Sequence, residues 1–331
     1  VTIEQQAVRQ HYVPACYLAR FTLQGSRCSP FFVHSIDGPI REDIPDHVGF
    51  QRHYHTISVA GFRPDHLEGI FRNIEEPACA LFKTLSASPG HSLTESEKDV
   101  ALLFFSIQAA RIPQSRDKYA SLMLDCGDRF MKEVAHSPKF FEQVMASAAR
   151  QGLVIDKVEQ GLLRKAIVNG HIKPFVDKNQ SAVGIFRLAE SILDAIDGMH
   201  YTLWYSDGPD WFVCSDYPVG LFYSISAEDP LSPKSVETPT VRLLSDAIYM
   251  PLAHNVALVV HRHDNIPTAQ RANQQMVAIV NAITVSHARR FICSMTPDFR
   301  CVLPNRELGN AKDAIETLKN FDKLERARTC P

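Results

Sequence analysis

The 331-residue chain lacks the short motifs that announce many known chemistries. There is no GxSxG elbow, no HExxH, no P-loop and no GxGxxG, so nucleophile-elbow hydrolases, zincins and dinucleotide or P-loop nucleotide binders have no local signature here. The eight cysteines, at 16, 28, 79, 126, 214, 293, 301 and 330, never form CxxC or a zinc-ribbon spacing. Such dispersal predicts free thiols throughout and a reducing, cytoplasmic home. Cys79, Cys126 and Cys293 lie in apolar stretches and read as buried thiols. No apolar run reaches the roughly 20 residues that a membrane-spanning helix needs. The opening VTIEQQAVRQ carries no apolar segment of the signal-peptide kind, and a start at Val leaves room for a trimmed leader. Formal net charge is only −2 with a pI near 6.7, which argues against sequence-blind coating of DNA while leaving a local basic groove open. Internal repeats and low-complexity tracts are missing as well.

What is present is a helix apolar on every side. In Lys98–Arg116, KDVALLFFSIQAARIPQSR, no charge appears between Val100 and Arg111. A helix apolar all round is normally buried, so Leu103, Phe104 and Ile107 are predicted core residues. Gln108 and Arg111, three apart, share a face. A buried guanidinium needs a partner, and Glu75, Glu76 and Asp216 are the candidates. Pro113 ends or kinks the helix directly after the arginine.

Around this helix the chain alternates. HYVPACYLARF opens with a Pro-initiated short helix whose Tyr17, Leu18 and Phe21 face the core. FFVHSI (31–36) and a stretch near 48–58 read as strands. From Asp65 the period becomes helical through HLEGIFRNIEEPACALFKTL (66–85), with Pro77 expected to bend it; Ser88-Pro89-Gly90 breaks the pattern, and Thr94-Glu95-Ser96-Glu97 is a capping box. Helical patterns continue at about 113–135, 138–151, 156–169 and 180–197. MHYTLWYS (199–206) and WFVCS (211–215), joined by Asp207-Gly208-Pro209-Asp210, read as a hairpin. A Pro- and Ser-rich loop (226–240), the strand pair AIYMPLA and VALVVHR, a long helix over 268–290, the strand RFICS and a last helix over 306–322 complete the order. It predicts one α+β domain over 1–331: β-rich 1–60, helical 65–197, then β-rich 198–265 followed by C-terminal helices, with the helical middle packed on a mostly antiparallel sheet.

With these segments in view, the chain resembles the family called domain of unknown function 4238, over about His11 to Ser294. The opening H-[HY]-V-P-x-x-Y-L-x-x-F matches His11 through Phe21, and a strand ending in Ser-Asp-x-Pro matches Ser215, Asp216 and Pro218. The Gln108/Arg111 helix is also similar. Cys214 replaces the usual hydroxyl residue, and Pro251-Leu252-Ala253-His254 departs from the Pro-Leu-Ser-Pro pattern, so His254 stands outside it. The resemblance brings no chemistry with it.

The residues themselves suggest a site. Asp216 follows an apolar strand, at a place where catalytic carboxylates often sit; its bland alternative is an Asx-turn before Pro218. His11 has the residue type of a general base, or of a structural histidine bonded to a backbone carbonyl. Arg111 offers a planar fork for an anionic oxygen, or a structural ion pair. His11, Arg111 and Asp216 are therefore the expected catalytic groups, meeting in one cleft, with Tyr12, Gln108 and Ser215 binding substrate. His53/His55 and His261/His263 each place two imidazoles on a strand face without a third ligand at a diagnostic spacing, so no metal ligands are assigned. The expected activity is hydrolysis or transfer at an anionic centre, phosphodiester first and nuclease-like in its sharpest form, with nucleic acid a candidate partner and no membrane. The alternatives are a non-catalytic ligand- or partner-binding module and a metal-dependent oxidoreductase using the His-x-His pairs. Cofactor, substrate and oligomeric state have no signature in the sequence.

Overall fold

The chain runs β1 (Arg9–His11), α1 (Ala15–Leu18), β2 (Phe31–Ser35), β3 (Ile40–Asp43), β4 (Phe50–Arg52), α2 (His66–Ala87), α3 (Glu95–Arg111), α4 (Pro113–His136), α5 (Pro138–Arg150), α6 (Lys157–Val168), α7 (Lys178–Ile196), β5 (His200–Tyr205), β6 (Cys214–Ser215), β7 (Gly220–Phe222), β8 (Ala247–Ala253), β9 (Val256–His261), β10 (Ala269–Arg271), α8 (Gln274–His287), β11 (Phe291–Ser294), β12 (Cys301–Val302), β13 (Leu308–Gly309) and α9 (Ala311–Thr329). This computed structural model describes residues 8–222 and 247–329; the expected loop at 226–240 lies outside them. The fold is α+β. No helix among the described residues is long and apolar enough to cross a membrane.

The chain forms two compact units. The first takes residues up to 115 and those from 185 onward; the second is 116–184. Unit one holds a five-stranded sheet in the order β10-β5-β9-β8-β7 and a four-stranded sheet in the order β3-β2-β11-β6. β10 lies parallel to β5, and the other pairs among the described residues are antiparallel. α8 is buried along most of its length and packs against β6, β7 and β8. Its buried Asn281 donates to the carbonyls of Trp211 and Arg300, both at 2.9 Å, and accepts from Val213 N–H at 3.0 Å. One side chain thus satisfies three backbone groups that the apolar surroundings would otherwise leave costly. Unit two has its own small core of Val134, Ala135, Phe141, Met145 and Ile167.

Three expectations need correction. The segments 199–206 and 211–215 do not form a hairpin: β5 belongs to the five-stranded sheet and β6 pairs with β11 in the other. The Asp-Gly-Pro-Asp turn signals a change of direction without saying which sheet receives the next strand. The 268–290 helix begins only at Gln274, because Asn273 caps it and 269–271 pair with β5. Cysteines are not all free either. Cys16, on α1, and Cys79, on α2, form a disulfide with Cα atoms 6.1 Å apart, an ordinary spacing. α1 packs on α2, which closes a separation of 63 residues that sequence spacing does not reveal, and the bridge counts against the cytoplasmic expectation. Cys126 is exposed rather than buried.

The apolar helix α3 opens with the predicted capping box, Thr94 with Glu97. Its C-terminal part is core: Phe104 is 1% exposed, Ile107 4% and Arg111 0%. Leu103, however, is 40% exposed. An apolar wheel gives the helix its opportunity for burial, but packing against α2 leaves this side of mid-helix uncovered. Leu103→Ala is accordingly expected to cost less than about 1 kcal/mol in urea unfolding, well below the 2–5 kcal/mol of a fully buried leucine. A larger loss would mean that another surface covers Leu103.

Candidate functional site

The site grows from the short β1–β4 ribbon. His11 stands opposite Phe50, and its half-buried ring packs against the Phe50 ring at 5.7 Å. Beyond it the chain is pinned by Gly49, whose carbonyl accepts both Tyr12 N–H (2.8 Å) and Val13 N–H (3.1 Å). Gly49 has φ +73°, and an added Cβ would lie 3.0 Å from Val13 Cβ, so glycine is needed there on both counts.

Against this segment lies the end of α3. Gln108 Nε2 donates to the Tyr12 carbonyl at 2.9 Å, and its Oε1 accepts from Arg111 Nε at 3.0 Å. Arg111 Nη1 donates to Glu75 Oε1 on α2 at 2.6 Å, and the guanidinium lies 5.3 Å from the centre of the Phe71 ring. Tyr54 Oη donates to the Arg111 carbonyl at 2.9 Å. Glu75, of the three candidates, is therefore the partner that the buried cation required. Glu75 itself is partly exposed, with 22% of its side chain open.

About two helical turns before Glu75 stands Glu68, on the same side of α2 as Phe71 and Glu75 (i, i+3, i+7). Burial, with the Glu75 charge adding to it and Arg111 and Arg72 opposing, raises the Glu68 carboxyl to about 7. His11 is moved the other way. Burial lowers its pKa first of all; Arg27 and Arg111 add to that, while Asp46 and Glu75 oppose it. Both groups thus feel the Arg111–Glu75 pair. Each of the three also carries one buried polar atom without a hydrogen-bond partner among the described residues: His11 Nε2, Arg111 Nη2 and Glu68 Oε1. Unpartnered buried polar atoms are costly and uncommon.

The other expected members of the site lie elsewhere. Asp216 is fully buried, and its Oδ1 accepts from the backbone N–H groups of Arg289 (2.9 Å), Arg290 (3.2 Å) and Phe291 (3.5 Å). Gln114 Nε2 reaches Oδ2 at 3.5 Å. Its partner is neither Arg111 nor an Asx-turn of its own. The carboxylate instead satisfies the donors exposed where the chain leaves α8 and enters β11. Burial still raises its pKa, against the lowering by those hydrogen bonds. Tyr12 belongs to this side: its phenol is buried, with Arg290 as hydrogen-bond partner and Asp216 in its field. Ser215 Oγ donates to Tyr217 O at 2.9 Å and accepts from Tyr217 N–H at 3.1 Å, closing a local turn in a fully buried position. Neither Ser215 nor Asp216 meets solvent. In place of the single cleft expected for His11, Arg111 and Asp216 there are two clusters, one around the Arg111–Glu75 pair and one around Asp216 and the 289–291 backbone.

Each histidine pair has one buried and one exposed member, the His261 and His263 rings lying stacked 6.1 Å apart. His53 is exposed at φ +53°, just past β4, while His55 is buried against Phe71 with ring centres 4.6 Å apart. His261 is buried, with Nε2 2.9 Å from Thr202 Oγ1, and His263 is exposed. Among the described residues, no three His, Cys, Asp or Glu side chains gather as metal ligands.

A family model described as "Protein of unknown function (DUF4238)" matches residues 9–298, from the first strand to just past β11. The chain belongs to that family. No curated protein and no solved structure matches it. The DUF4238 span takes in both clusters and stops before β12, β13 and α9. The sequence reading named His11, Gln108 and Arg111 as site candidates and did not name Glu68, whose carboxyl burial raises to about 7. Its 68/71/75 spacing with Phe71 was the available signal; Glu68 pairs equally well with Arg72 as a surface ion pair, and only burial separates the two.

Proposed function

We propose that the chain is a hydrolase or transferase acting at an anionic centre, with Arg111 holding the anion and His11 and Glu68 exchanging protons with the substrate. The observation that carries this reading is the group of three unpartnered polar atoms on His11, Arg111 and Glu68 around one Arg111–Glu75 ion pair. Substrate groups would answer all three. A carboxyl near neutrality suits proton transfer at physiological pH, and a neutral imidazole that feels the same Arg111–Glu75 pair can accept a proton. In a phosphodiester, the first-choice substrate, Arg111 Nη2 would hold a non-bridging oxygen while His11 takes the proton of the attacking water. The phosphorus–oxygen bond to the leaving alcohol breaks, and Glu68 supplies its proton. Nuclease-like action on nucleic acid is the sharpest form of this proposal. Asp216, Tyr12, Gln108 and Ser215 are given the role of holding the His11 backbone and the end of α3. The five free cysteines among the described residues support a cytoplasmic setting, and the Cys16–Cys79 bridge weighs against it.

The rival is a non-catalytic binding module, favoured by the saturation of Gln108 and Asp216 by internal partners. Incubation of the chain with bis(4-nitrophenyl) phosphate and with a labelled single-stranded oligonucleotide separates the two. The hydrolase reading predicts turnover of at least one, inhibited competitively by inorganic phosphate. Absence of turnover across pH 5–9 (roughly the range over which His and a raised carboxyl titrate) removes it in favour of the binding module.

A further inference from the structure

A separate cavity of about 760 Å³ opens between the β2–β3 hairpin and the first turns of α9, and shares no residue with the His11–Arg111 cluster. Its volume lies within the range of small-molecule sites. His34, Ile40, Pro297, Lys312, Ile315 and Lys319 line it, with Glu316 completing the α9 wall. Lys312, Ile315, Glu316 and Lys319 fall on one helical face. Asp298 also borders the cavity, but its Oδ1 already accepts from Phe299 N–H (2.9 Å) and Ala311 N–H (2.8 Å).

His34 is the unusual member. It is 3% exposed, and its Nε2 lies 2.8 Å from Ser294 Oγ. Ser294 Oγ spends its own proton on the Thr296 carbonyl at 2.6 Å, so it must accept from His34 Nε2–H. That tautomer leaves Nδ1 as a lone-pair acceptor, and no described residue donates to it. Burial pushes the imidazole down to about 4, so the ring is neutral under physiological conditions. The α9 wall therefore carries two ammonium groups with the Glu316 carboxylate between them, and β2 offers a neutral acceptor. A simple anion would leave His34 Nδ1 and Glu316 unanswered; a simple cation would face two lysines.

We propose that this cavity binds a small amino-carboxylate zwitterion, its ammonium on His34 Nδ1 and Glu316 and its carboxylate on Lys312 and Lys319, with Ile40, Pro297 and Ile315 as the apolar floor. This is a binding site distinct from the proposed reaction centre and does not depend on it. The test is isothermal titration of the intact chain with each proteinogenic L-amino acid, and with the matching amine lacking the carboxylate and acid lacking the ammonium. Saturable binding of at least one amino acid is expected, with both analogues about tenfold or more weaker. Lys319→Met, at a half-exposed position, should weaken binding by about tenfold, and Ile315→Trp should abolish it by filling the space while circular dichroism stays that of the wild type. No heat from any amino acid at millimolar concentration overturns the proposal. So does an analogue that binds as tightly as the amino acid, or binding that survives Ile315→Trp.

Discussion

Asp216→Ala is expected to lower the unfolding free energy by about 3–5 kcal/mol in urea titrations, a loss of the size seen when a buried charged partner is removed. Three backbone N–H groups at 289–291 and the Gln114 amide lose their acceptor at once, in a position closed to water. Asp216→Asn keeps one acceptor oxygen over those amides. Its new N–H₂ can meet Gln114 Oε1, which has no partner among the described residues. The Asn variant should therefore lose only about 1–2 kcal/mol, the cost of trading a charged for a neutral hydrogen-bond acceptor. Its folded fraction should keep turnover within about tenfold of wild type, since the carboxylate does not face the proposed reaction centre. An Asp216→Asn protein of wild-type stability with turnover abolished would return Asp216 to the catalytic group and unseat the two-cluster description.

The second large effect is kinetic. Glu68→Gln should cut cleavage of an oligonucleotide by roughly 10²–10⁴-fold, the usual contribution of a general acid, because an alkoxide leaving group needs its proton. Bis(4-nitrophenyl) phosphate should be much less affected, since nitrophenolate leaves without protonation. The same substitution should alter stability with a definite sign. Glu68 rises from 4.5 to about 7 on folding, so its native form prefers the proton. Its favourable contribution is complete below pH 4.5 and is lost as pH rises towards 7. Glu68→Gln removes that loss, and above pH 7 it should be more stable than wild type by about 1–3 kcal/mol, allowing for partial solvation of the side chain. His34 contributes in the opposite sense, losing stability as pH falls from 6.5 to about 4, so the wild-type profile has the two slopes superimposed. Equal effects of Glu68→Gln on both substrates would show that the carboxyl does not protonate the leaving group.

Local physics made much of the fold legible. The Thr94/Glu97 capping box sets the start of α3, and the strands β8 and β9 stand out as apolar runs. A buried Arg111 demanded a carboxylate, and Glu75 was among the named candidates. What stayed hidden depended on long-range pairing. The Cys16–Cys79 bridge follows from the meeting of α1 and α2, and the placement of β6 beside β11 follows from which sheet had a free edge. Asp216 looked catalytic because a carboxylate at a strand end is often presented to substrate; here α8 and β11 return over it with three backbone amides that donate to it. Glu68 was visible as an acidic residue on a helical stripe, but a carboxyl becomes a neutral-pH acid only through burial and a like-charged neighbour. Glu75 lies on the same helix, but the burial comes from outside it.

The most direct test of the account is the ionisation of Glu68 itself. Side-chain carboxyl ¹³C shifts of a glutamate-labelled chain, assigned by comparison with Glu68→Gln, would be followed from acid to alkaline pH. A midpoint near 7 is the result expected from the burial of Glu68 beside the Arg111–Glu75 pair. A midpoint at the ordinary 4.5 of a solvated glutamate would contradict it and leave the His11–Arg111 cluster without its proposed acid.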